Sequence, residues 1–177
     1  VITNKNENTG YGVTLTENAK FFLYGGKITG NFHGVYIGSN SVFKMYDGEI
    51  TANKSQADGG GVYNDATFEM YGGKITRNEA AYGGGVYNGT DASFGMYGGK
   101  ILSNRGSKGG GVYNAGALTV SGDATIAQNI ELQNYKACNM YLRADKTFEI
   151  GENFSGEIGV TAAAKPPVVI ATGATKN

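Results

Sequence analysis

The chain has 177 residues, 30 of them glycine and two proline, with 15 basic side chains balanced by 15 acidic ones. This neutrality leaves no electrostatic footprint for nucleic acid or anionic lipid, so no nucleic-acid partner is expected. Cys138 is the only cysteine and His33 the only histidine, which excludes an internal disulfide framework, a cysteine-based zinc site, a triad and a multi-histidine centre. No apolar run is long enough to span a bilayer and no basic-then-apolar leader opens the sequence, so no membrane insertion is expected and the chain reads as a piece of a longer polypeptide.

In chain order, Val1-Ile2-Thr3 reads as the tail of an earlier repeat unit, and the first full unit opens at Gly12-Val13-Thr14. The motif Gly-Val-Tyr then recurs at Gly34, Gly61, Gly85 and Gly111, with a last variant at Met140-Tyr141-Leu142. Each is followed by a block of the type Phe-x-Met-Tyr: Phe21 to Tyr24, Phe43 to Tyr46, Phe68 to Tyr71, Phe94 to Tyr97, Leu118 to Ser121 and Phe148 to Gly151. A third block is centred on Ile28, Ile50, Ile75, Ile101, Ile126 and Ile158, and in the first five units an asparagine stands three residues later, at Asn31, Asn53, Asn78, Asn104 and Asn129. Self-similarity at this period marks a solenoid.

All three blocks alternate apolar and polar side chains between clusters of Gly, Asn, Asp or Ser, which predicts short half-buried strands. The chain has few leucines and no amphipathic helical stretch, which excludes a leucine-rich repeat, and the unit is too short for a propeller blade. The expected fold is therefore all-β: a right-handed, single-stranded parallel β-helix with three strands per coil and about six to seven coils over residues 1–165, followed by a tail or closing strand over 166–177. Parity places Val13, Val35, Val62, Val86, Val112 and Met140 inside, along with Leu15, Ile37, Asn64, Asn88, Asn114 and Leu142. The same parity turns Tyr36, Tyr63, Tyr87, Tyr113 and Tyr141 outward.

In the second strand Phe43, Met45 and their equivalents are expected in the core, with Phe22, Lys44, Glu69, Gly95, Thr119 and Glu149 facing solvent. In the third, isoleucine is inside and Lys27, Glu49, Lys74 and Lys100 are outside. The inward Asn64, Asn88 and Asn114 require an amide ladder for partners. The glycine triplets at 59–61, 83–85 and 109–111 are expected at corners with positive φ or close backbone approach. The asparagine after each third strand fits a second corner, in the left-handed region or bonding a turn. Residues 130–139, including Cys138, are expected to bulge as a loop or short helix, and Val168-Val169-Ile170 to close the rod.

The units GGGVYN, FEMYGGKITRN and FGMYGGKILSN, followed by NMYLRADKTFEIGENFSGEIGVT and PPVVIATG, resemble the parallel β-helix modules of large cell-surface proteins from Gram-positive gut and oral bacteria. The resemblance covers nearly the whole chain. It implies an adhesin-like, extracellular stalk or display segment on a bacterial surface, working beside neighbouring domains.

Enzymes on such a fold, the pectate lyases and polygalacturonases, need clustered carboxylates, with Ca²⁺ and a basic residue for elimination or as a flanking pair for hydrolysis. The first-strand face carries Tyr and Thr instead. Asp47 and Glu49 lie beside Lys27 and Lys74, as expected of charge pairing between turns, and Asp58, Asp65 and Asp91 suit turn corners. A polysaccharide lyase or glycoside hydrolase stays as the alternative, favoured by three or more carboxylates sharing a groove with Arg77, Arg105 or Arg143. The glycine-rich segments lack the following helix and Gly-Lys-Ser/Thr of a phosphate loop. No metal, cofactor or catalytic residue is expected.

The candidate ligand-binding residues are the outward tyrosines Tyr36, Tyr63, Tyr87, Tyr113 and Tyr141, with a second column at Tyr24, Tyr46, Tyr71 and Tyr97. Such a ribbon suits a glycan, whose CH faces lie on aromatic faces, or a host surface protein. It also follows from ladder stacking alone.

Overall fold

The computed structural model describes residues 1–4 and 10–162. Among them the chain is all β, and every strand pairing is parallel, each strand lying on its counterpart from the previous winding. This is the parallel β-helix expected from the repeat. The tail from Pro166 and the closing segment Val168 to Ile170 lie outside the described residues. The rod has about five regular turns, fewer than the six to seven expected, because the last winding is held only by short strands at Met140–Leu142, Glu149–Ile150, Glu157–Ile158 and Val160–Ala162.

The first face stacks Tyr11–Leu15, His33–Ile37, Val62–Asn64, Val86–Asn88, Val112–Asn114, Met140–Leu142 and Val160–Ala162. Coils one to six are numbered from the first six of these strands. The register pairs Val35 with Val62, Val86, Val112 and Met140 in turn, and Tyr36 with Tyr63, Tyr87, Tyr113 and Tyr141. The second and third faces are separate strands from coil three onward. In coils one and two they fuse into the ten-residue strands Lys20–Thr29 and Val42–Thr51, which pass the corner through a register irregularity around Leu23, Tyr24 and Lys27. The later strands are interrupted at the same corner, at Gly72-Gly73 and Gly98-Gly99, whereas Gly25-Gly26 lies within the unbroken strand of coil one.

A fourth, narrow sheet of Glu79–Tyr82, Arg105–Lys108 and Ile130–Glu131 extends the three-sided cross-section expected from the blocks. Its segments Glu-Ala-Ala-Tyr and Arg-Gly-Ser-Lys share no apolar pattern, so they are held by backbone pairing rather than by a common inward side chain.

The interior is a set of axial columns. Val35, Val62, Val86 and Val112 are fully buried, as are Ile28, Ile50, Ile75, Ile101 and Ile126. Phe21, Phe43, Phe68 and Phe94 stack ring on ring at 5.6, 5.1 and 4.7 Å. Each fully buried large side chain contributes roughly 1.5–3 kcal/mol, and each coil repeats the contribution. One residue read as outward is instead buried: Gly95 lies beneath the Tyr97 ring, which folds into the space that a side chain at 95 would fill.

Two asparagine ladders run along this core. The expected one passes from Asn64 Nδ2 to Asn88 Oδ1 at 2.8 Å and from Asn88 Nδ2 to Asn114 Oδ1 at 2.7 Å. The second is made by the asparagine after the third strand, which stands at a corner and bonds backbone there as expected but does not itself take the left-handed conformation. There the preceding residue takes the left-handed conformation, with φ of 69° at Gly30, 52° at Ala52, 55° at Arg77, 57° at Ser103 and 57° at Gln128. The turn that these residues make swings the asparagine inward, where Asn31, Asn53, Asn78, Asn104 and Asn129 are at most 1% exposed. Nδ2 to Oδ1 bonds of 2.8, 2.9, 3.0, 3.0 and 3.2 Å link them in series and end on Asn139. Each internal Nδ2 also donates to an isoleucine carbonyl, as from Asn78 to Ile50 O at 2.9 Å.

The triplet glycines behave as read. Gly59, Gly83 and Gly109 have φ of 68°, 61° and 58°, and a Cβ on Gly61 or Gly85 would lie 2.5 Å from the carbonyl oxygen of the next coil. Residues 130–139 form a loop and no helix, closed by an antiparallel bridge between Ile130 and Ala137. Cys138 points into the rod, where Gly109 N–H approaches its sulfur at 3.1 Å.

Candidate functional site

On the first face, alternation along each strand sends the valine and asparagine columns inward and the tyrosine between them out. Tyr36, Tyr63, Tyr87, Tyr113 and Tyr141 form an unbroken stack, with centroids 5.3, 5.0, 5.3 and 5.3 Å apart and planes within 16°. All five are half-buried. At one end Tyr11 and His33 pack beside the stack, and at the other Tyr82 from the fourth sheet lies on Tyr113 at 5.3 Å. Lys108 Nζ is 5.6 Å from the Tyr82 ring and 5.2 Å from that of Tyr141. Desolvation within this layer, followed by the charge of Asp65, pushes the Tyr63 phenol well above its ordinary value, so it donates hydrogen bonds and does not act as a base.

His33 begins a first-face strand, 5% exposed, with Nδ1 2.8 Å from Gly59 O. The carbonyl only accepts, so Nδ1 carries the proton. Burial holds the imidazole below its ordinary pKa, against the raising effect of that bond.

The carboxylates do not converge. Burial raises Asp58, against a backbone hydrogen bond from Tyr82, while Asp65 is raised by desolvation and by Asp91. The arginines are dispersed: Arg77 binds Glu49 at 3.2 Å, Arg105 binds Glu79 at 3.4 Å, and Arg143 lies 4.0 Å from Asp145. Among the described residues no three of His, Cys, Asp and Glu are grouped to hold a metal ion.

The second tyrosine column stands at the corner between the second and third faces. Tyr24, Tyr46, Tyr71 and Tyr97 stack at 4.8, 5.0 and 5.1 Å and are 70%, 38%, 41% and 38% exposed, so this is the more accessible ribbon. Tyr71 donates its hydroxyl hydrogen to Glu69 Oε2 at 2.7 Å, and that bond, with burial, pushes its phenol up to about 12. Glu69 also holds Lys44 at 2.7 Å.

Beside this column runs a shallow trough of about 540 Å³, whose lining includes Tyr71, the corner glycines, Lys27, Lys74 and Lys100. Burial pushes the Glu49 carboxyl up, but hydrogen bonds from Lys27 and Thr76 outweigh it and hold the group below the usual range. Lys74 and Lys100 lie in direct register on adjacent strands.

Against known proteins, the chain matches no family model, and no curated protein or solved structure is significantly similar to it. The candidate site therefore rests on its own geometry.

In the first column, and from Tyr24 to Tyr71 in the second, the rings are turned face to face along the rod axis, while Tyr97 is tilted by 33° from Tyr71. Their faces are occupied by neighbouring rings, and what reaches solvent is a row of ring edges and phenolic hydroxyls about one strand spacing apart. This changes the chemistry expected of the ribbon: sugar rings cannot lie on faces inside the stack, whereas hydrogen bonds to the hydroxyl row remain available.

Proposed function

We propose that this chain is a non-enzymatic, extracellular display module of a bacterial surface protein: a stiff rod that spaces or presents neighbouring domains and contacts glycan or host surface protein through its tyrosine ribbons. The observation carrying this reading is the axial continuity of the core, in which the amide ladder from Asn31 joins coils one to five in the same register as the backbone and ends on Asn139, where the last winding begins. Bending the rod between coils would stretch strand pairing on the first face and the buried amide chain together. Buried amides are costly to leave unpaired, so deformation is opposed on the side where hydrophobic packing alone would allow sliding.

The resemblance of GGGVYN and FEMYGGKITRN to surface-protein modules supports the extracellular setting, and the surface tyrosines give such a rod something to present. The reading is tested by incubating the purified chain with plant and host polysaccharides while following both product formation and retention on a glycan and matrix-protein array. Retention without shortening of any polymer is expected, with weaker signal in Tyr63→Phe/Tyr87→Phe or Tyr71→Phe/Tyr97→Phe. Release of unsaturated or reducing oligosaccharides would establish the lyase or hydrolase alternative instead.

A further inference from the structure

We infer that the trough beside Tyr71 and Tyr97 is a binding site for an acidic oligosaccharide, a chain carrying carboxylate or sulfate groups, held by Lys74 and Lys100. The inference rests on the display reading above and specifies which face binds and what chemistry it takes.

The floor of the trough is bare backbone. Gly48, Gly73 and Gly99 have φ of 102°, 80° and 84°, and a Cβ on any of them would come within 2.9 Å of the coil below, so successive windings keep glycine there and no side chain fills the channel. One wall is Tyr71 of the second tyrosine stack. Its hydroxyl hydrogen is given to Glu69, so what it turns to the trough is an exposed ring edge, the positive end of the aromatic quadrupole, which favours an anion over a neutral apolar surface.

The opposite wall is the outward column of the third face, Lys27, Glu49, Lys74 and Lys100. Its first two members neutralise each other at 3.0 Å, and Glu49 is further engaged by Arg77. Lys74 and Lys100 are exposed and adjacent, and among the described residues neither has a carboxylate within ion-pair distance, in contrast to Lys27, Lys44 and Lys54. Like charges directly opposite each other weaken a ladder, so the pair costs stability that an anionic ligand would restore. Asp47 and Asp123 also line the trough, from coils two and five, with the Asp123 carboxylate reaching over Gly98, so the cationic stretch is confined to Lys74 and Lys100 between them. The site thus takes acidic groups spaced by about one or two strand separations along an extended chain.

The test measures binding of the intact chain to oligogalacturonate, to a sulfated oligosaccharide and to a neutral cello-oligosaccharide, at low and high salt, with galacturonic acid monomer and inorganic sulfate as competitors. Binding to one or both acidic oligomers, absent for the neutral one and weakened by salt, is expected, and the two acidic arms distinguish carboxylate from sulfate. Lys74→Gln/Lys100→Gln should lower affinity about tenfold or more, roughly what losing one or two partly screened charge contacts costs. Tyr71→Phe/Tyr97→Phe should lower it less, and Lys136→Gln, an exposed lysine outside the trough, should leave it unchanged. Circular dichroism of each variant verifies folding, which surface substitutions should preserve.

Equal binding of neutral and acidic oligomers, competition by sulfate or monomer as effective as by oligomer, binding only to protein, or no binding at all would each overturn the inference. So would loss of binding in the Tyr63→Phe/Tyr87→Phe variant alone, which moves the ligand to the other ribbon while leaving the display reading intact. Shortening of the oligosaccharide during incubation would instead remove the display reading itself.

Discussion

Asn78 shows how one residue ties three coils together. Its Oδ1 accepts from the backbone N–H and the Nδ2 of Asn53 at 3.0 and 2.9 Å, and its own Nδ2 donates to Ile50 O and Asn104 Oδ1 at 2.9 and 3.0 Å. Every polar atom of the amide is used, with no solvent contact. Asn78→Ala removes these bonds together and leaves buried groups on both neighbouring coils short of a partner, which should cost about 2–4 kcal/mol. Asn78→Asp should be at least as damaging, because a buried carboxylate cannot donate to Ile50 O. Urea unfolding should show the loss as a lower midpoint with little change in slope. A midpoint shift no larger than that of an exposed amide control without positive φ, such as Gln133→Ala, would show that the amide ladder does not stabilise the rod.

At the scale of strands and corners, the two kinds of glycine separate cleanly. Gly85 has a virtual Cβ 2.5 Å from Gly111 O and 2.9 Å from Ile101, both in the tightly stacked interior, whereas Gly25 has nothing within 4 Å and an ordinary φ. Gly85→Ala should therefore destabilise by roughly 2 kcal/mol or more, through forced separation of coils four and five. Gly25→Ala should be neutral or stabilising by about 0.4–1 kcal/mol, since it restricts the unfolded chain without strain. Thermal melts of the two variants side by side decide the point, and equal shifts would refute the close-packing account of the triplets.

The same contrast explains what the sequence could convey. Strand columns were legible because period-two alternation repeats from unit to unit and fixes the face of every residue in it. The Asn64 ladder was legible for the same reason: an amide in an apolar column has to find its own kind. The Asn78 column was legible as a corner but not as a ladder, because asparagine tolerates the left-handed region and bonds turns in its own right. The turn was in fact made by residues as varied as Ala52, Arg77, Ser103 and Gln128, none of which signals positive φ. The fourth sheet was invisible because it has no repeated side chain. Both tyrosine columns were visible in sequence, but their relative exposure was set by Tyr82 and Lys108 folding over the first, contacts that join different coils.

For the molecule as a whole, stability in a solenoid is a sum of coil terms and coil–coil interfaces, so it varies along the axis wherever either weakens. Coils three to five combine fully buried Val, Phe or Leu, Met or Val and Ile columns with both amide ladders. The winding from Met140 onward keeps the first-face strand but has two-residue strands on the other faces, and its Ile150, Phe154, Ile158 and Val160 are only partly buried. Its asparagine ladder has ended at Asn139, and the Asn64 column has reverted to Leu142. Native-state hydrogen exchange should therefore be slowest for the amides of Val62 and Val86, which bond across the coil interfaces to Gly85 O and Gly111 O. It should be clearly faster for Gly151 and Gly159, whose bonds to Val120 O and Ile126 O hold the weaker winding. Asn104→Ala should speed exchange at Val62 and Val86 far more than at Gly151, because it cuts the ladder between coils three and five, whereas Gly151 lies beyond the ladder's end at Asn139. Uniform exchange along the rod, or an equal response at both places, would mean that the chain opens as one cooperative block and that the amide ladder does not govern how its coils separate.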